Sequence, residues 1–64
     1  MYTSKKELLE NRSASLIASS MAMLKIGLET APNDKELAKL YLDISKALAE
    51  RAEVAAKKAE QEEA

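Results

Sequence analysis

The sequence predicts an all-α fold, a two-helix antiparallel hairpin completed as a four-helix bundle by dimerisation or by a helical partner. Three observations predict it. Ala, Leu, Glu and Lys dominate the 64 residues, while Gly and Pro occur once each, a composition that favours helix throughout. Apolar residues recur three and four apart in two long runs, parted only by Thr30-Ala31-Pro32-Asn33. Finally, Ser13 to Leu24 (SASLIASSMAML) carries no charge, although 33% of the chain is charged. A helix uncharged all round is one enclosed by neighbours, and this chain supplies only one other helix.

Helix 1 is expected over about residues 5–30. Ser4 followed by Glu7 has capping-box spacing, in which the hydroxyl accepts from the Glu7 amide and the carboxylate reaches back. The best-defined stripe is Ala14, Ile17, Met21, Leu24 and Leu28. Beside it runs a second series, Leu9, Ser13, Leu16, Ser20, Met23 and Gly27. Two adjacent seams imply two helical neighbours, as inside a four-helix bundle. Ser13, Ser20 and Gly27 fall seven apart, and small side chains at that spacing let helix axes approach closely. The serines also read as tolerated surface residues, and Gly27 as a point of fraying. The uncharged flanks favour close packing for the serines; Gly27, which costs a helix about 1 kcal/mol against Ala, stays open. Leu8, Ala18, Ala22 and Ile26 leave the far side of helix 1 apolar, where a partner could cover it.

The turn occupies 30–33. Pro32 is expected to end helix 1 by disfavouring helical geometry at Ala31, and Asn33, with Glu36, to cap helix 2. Helix 2 is expected over about 34–61. Its stripe reads Leu37, Tyr41, Ile44, Leu48, Ala52 and Ala55, widened by Leu40, Ala47 and Val54. Charged residues fill the opposite side, with Lys39–Asp43 and Glu53–Lys57 at i,i+4 spacing. After Leu48 the large apolar residues nearly stop. The alanine-rich segment therefore has little to bury, Arg51 lies on the stripe with its stem over Leu48, and the end frays. Residues after about Lys58 read as dispensable. The whole chain, 1–64, reads as one helical-hairpin domain.

The chain lies below the size at which a single core reliably suffices. Without Cys it has no disulfide or thiolate metal site, and without His it lacks the commonest metal ligand and general base. Association is the remaining device. The serines of helix 1 have no base to activate them, Glu7 with Glu10 and Glu60 with Glu62 and Glu63 read as solvated faces, and the single Gly is mid-helix rather than in a phosphate loop. No enzyme, cofactor or metal is expected. A net charge of −1 gives no general attraction to nucleic acid or anionic membrane. The uncharged stretch is too short and serine-rich to span a bilayer. Charged residues stand where a signal peptide's apolar run belongs, so a cytoplasmic site is the expectation.

The expected function is therefore a non-enzymatic interaction protein (adaptor, co-chaperone or inhibitor) whose partner is itself, a helical protein, or both. In length and architecture the chain resembles the Rop-like plasmid RNA modulators, hairpin dimers that present a paired helix face to RNA. That resemblance would make Lys5, Lys6, Asn11 and Arg12 the RNA-facing group, with Glu7 and Glu10 among them. Being short, helical and free of Cys, it also resembles the small co-chaperones of type III secretion needle subunits. That resemblance implies a second chaperone and an aggregation-prone helical client. A phage- or plasmid-encoded inhibitor docking on a host protein fits the same features.

Overall fold

A computed structural model describes residues 4–62. Two helices, α1 (Lys5–Thr30) and α2 (Lys35–Gln61), pack side by side as an antiparallel hairpin. The molecule is a plate of 47 × 21 × 10 Å measured on Cα atoms, one helix thick and two helices wide.

α1 starts where Ser4 leaves helical geometry (φ −66°, ψ 158°) and its hydroxyl accepts the Glu7 amide at 3.1 Å. Its end differs from expectation. Ala31 remains helical (φ −49°, ψ −43°) and donates to the Gly27 carbonyl at 3.0 Å, so Pro32 does not force Ala31 out of the helix. Pro32 ends the ladder instead by having no amide proton for the next carbonyl. The amides of Asn33 and Asp34 both turn back to Thr30 O, at 3.0 and 2.9 Å.

That extra turn moves the cap of α2. The cap is Asp34 rather than Asn33: its backbone is extended (φ −151°, ψ 96°) and Asp34 Oδ1 accepts the Leu37 amide at 3.0 Å. Asn33 is still in the turn, one residue before the cap. A carboxylate is also the better charge for the positive end of a helix.

The core between the helices is made of small residues. Along α1 the buried residues are Ser13, Ser20 and Gly27; along α2 they are Ala38, Ser45, Ala52, Ala55 and Ala59. Ser13 meets Ala52, Ser20 meets Ser45 and Gly27 meets Ala38. Seven residues forward on α1 match seven back on α2, so the antiparallel register holds along the hairpin.

This corrects the expectation for the alanine-rich half of α2. It is the most enclosed part of the helix, Ala52 being 2% exposed, because the narrow seam admits only small side chains. The helix holds through Gln61, and Lys5 Nζ lies 3.2 Å from Glu62 Oε1 across the open end. Glu53–Lys57 forms at 3.3 Å; Lys39–Asp43 does not, among the described residues. Fraying expected beyond Glu62 lies outside the described residues.

Candidate interaction surface

The narrow seam is held by hydroxyls. Ser20 Oγ donates to the Ser45 carbonyl at 2.9 Å, Ser45 Oγ donates to the Ser20 carbonyl at 2.8 Å, and the two oxygens lie 3.1 Å apart. Ser13 Oγ donates to the Ala52 carbonyl at 2.9 Å. A helical carbonyl keeps a second lone pair after its ladder bond, so these bonds leave the helices intact. A serine reaches the opposite backbone only when the two axes are close, at the short end of the roughly 8–10 Å range for packed helices. At Gly27 a Cβ would lie 3.1 Å from Leu42 Cδ2 and 3.3 Å from the Ala38 carbonyl oxygen. Its missing side chain is a space requirement of this crossing. Among the described residues every buried side-chain polar atom has a partner.

Helices this close turn their large side chains outward. Of the residues expected at helix–helix contacts, Ser13, Ser20 and Gly27 are buried between α1 and α2. Leu9, Leu16, Met23, Tyr41 and Leu48 are half-buried along the same seam. Ile17, Met21, Leu24, Leu28, Leu37 and Ile44 lie open in the single chain, Met21 at 64% and Leu28 at 62%. Of the two seams expected on α1, the second series is the one buried against α2, and the stripe from Ala14 to Leu28 is left largely exposed. On α2, Leu37, Leu40 and Ile44 are exposed, and the buried line runs instead through Ala38, Ser45, Ala52 and Ala59. Sequence reasoning missed Ala38, Ser45 and Ala59. With Ala52 they fall seven apart, the spacing of Ser13, Ser20 and Gly27, and that was the available signal.

The exposed apolar residues divide between the two broad faces. Positions three and four residues beyond a buried residue lie on opposite sides of it. Ile17 and Leu24 therefore take one face; Leu16 and Met23 take the other. On the first face a groove of about 460 Å³ runs past Glu10, Ala14, Ile17, Ala56 and Glu60. A neighbouring hollow lies against Met21, Leu24 and Leu28. On the second face a groove of about 520 Å³ has Leu9, Leu16, Val54 and Ala55 along it, with Arg12, Arg51 and Lys58 around it.

Among the described residues no helix is long and apolar enough to cross a membrane, and no three acidic residues converge as a metal site would require. Compared with protein-family models, curated proteins and solved structures, the chain matches none.

Proposed function

We propose that this chain is a non-enzymatic interaction protein, an adaptor, co-chaperone or inhibitor in a cytoplasmic setting, acting through helix–helix contacts. A helical protein partner or a second copy would complete a four-helix bundle on it. One observation carries the reading: the hairpin buries alanine, serine and glycine, and leaves its isoleucines, Met21 and most of its leucines exposed. Each large aliphatic side chain is worth about 1.5–3 kcal/mol when fully buried, against about 0.8 for a methyl-sized group. The hairpin's larger hydrophobic free energy is therefore still available to a partner. Contiguous exposed apolar surface on a small protein marks an interaction site more often than chance composition.

Sedimentation equilibrium at micromolar concentration, alone and with proteins retained from the native host, tests the proposal. Self-association or one stoichiometric protein partner is expected, and Ile44→Lys or Ile17→Lys should abolish it while preserving helix content. A cooperatively melting monomer that retains no protein would refute it. Filter binding across a salt series addresses the Rop-like alternative, because contacts to several phosphates weaken steeply with salt.

A further inference from the structure

We propose that the groove on the second face receives an acidic amphipathic helix of a partner protein. The proposal rests on the interaction-protein reading and adds the chemistry of the partner. Along the groove lie Leu9 and Leu16 from α1 and Val54 and Ala55 from α2, a strip that an apolar helix face would cover. Arg12 stands on the α1 side, Arg51 and Lys58 on the α2 side, and among the described residues Glu50 is the sole acid along it. All three cations are exposed and none is in an ion pair among the described residues.

Turned about 100° per residue from the buried line, Arg12 lies outside Leu9 and Leu16 on α1, and Arg51 and Lys58 lie outside Ala55 on α2 with Val54 beyond them. Cations thus border the Leu9, Leu16 and Ala55 strip on both sides, the arrangement that a helix with an apolar stripe between two rows of Glu or Asp complements. Their stems can lie over the same strip while the heads reach the partner's carboxylates. The opposite face lacks this arrangement: its groove carries Lys6 against Glu10 and Glu60, so the charge preference belongs to one side of the plate. Charge of this kind selects partner and orientation more than it adds affinity. Among the described residues along the groove there is no aromatic ring and no side-chain amide, the groups that hold unpaired RNA bases.

The test uses the full chain and two synthetic amphipathic helical peptides with the same leucine stripe. One carries Glu at the positions flanking the stripe, the other Lys. Fluorescence anisotropy at low salt should show the Glu peptide binding about tenfold or more tightly than the Lys peptide, with the difference shrinking at high salt. Arg12→Glu with Arg51→Glu should reverse the order. Lys58→Gln, a milder change at an exposed site, should weaken the Glu peptide alone. Lys25→Gln, which removes an exposed cation that does not line this groove, should leave both affinities unchanged.

Equal binding of the two peptides would overturn the acidic partner while leaving helix docking intact. Binding of neither, by a chain that sediments as a stable monomer, would overturn both this proposal and the reading beneath it. A homodimer that Arg12→Glu with Arg51→Glu dissociates would put a second copy in the groove and overturn the proposal. RNA retained on a filter and lost in that same variant would overturn it too.

Discussion

Ser20 and Ser45 set the spacing of the two helices. Each hydroxyl donates to the other residue's carbonyl, at 2.9 and 2.8 Å, within the buried seam. A larger side chain at Ser20 must push the axes apart and leave the Ser45 hydroxyl without its bonds. Ser20→Leu should therefore destabilise by about 1–3 kcal/mol, the usual range for overpacking, read as a fall in melting temperature or as altered assembly. Ser19→Leu, one residue away and exposed, should stay within about ±0.5 kcal/mol. Equal losses from the two would show that the seam tolerates bulk. Gly27 belongs to the same argument: a Cβ there would crowd Leu42 and the Ala38 carbonyl oxygen, which offsets the gain in helix propensity that alanine would otherwise bring.

At the scale of the element, the helix ends are decided by single side chains. Asp34 caps α2 through its 3.0 Å bond to the Leu37 amide, so Asp34→Ala should cost about 1 kcal/mol, whereas Asn33→Ala should be nearly neutral. Urea midpoints at constant m distinguish them. The last turn of α2 also contributes, contrary to what its composition suggests. Truncation after Lys58 removes the buried methyl of Ala59 and the Lys5–Glu62 contact. The methyl is worth about 0.8 kcal/mol and the exposed pair adds little, so a loss of about 1 kcal/mol is expected in the same titration. A midpoint unchanged by truncation would show that the alanine seam stops contributing before Ala59.

The whole molecule is a plate with apolar side chains on both broad faces, and a plate of this kind is stable in proportion to what covers it. Melting followed by circular dichroism should therefore shift upward as the chain is concentrated, or as a partner is added. Ile17 lines the first face, and Ile44, seven residues before Arg51, shares the second, so Ile17→Lys and Ile44→Lys probe opposite faces without touching the serine seam. At least one should remove the concentration dependence while leaving the helices formed. The face whose substitution does so is the one covered in the assembly. A parent chain whose melting is independent of concentration and partner would show that the narrow seam alone suffices.

The hairpin itself was legible in the residues. Helix formers broken once at Pro32, a Ser4–Glu7 start and three-and-four spacing are local signals, and local hydrogen bonding acts on them whatever the chain later meets. The heptad of Ser13, Ser20 and Gly27 was legible for the same reason. What the sequence could not rank was which of two seams on α1 would meet α2, because Ile17 and Leu24 are more hydrophobic than Ser13 and Ser20, and hydrophobicity alone assigns the larger residues to the inside. Only the tertiary structure decided this. Its second small-residue line, Ala38, Ser45, Ala52 and Ala59, fits the first in antiparallel register, and the serine hydroxyls bond across the gap only at that distance. Close approach of two backbones is a property of both helices together, so neither helix's own pattern announces it, and the large side chains it turns outward form the candidate interaction surface.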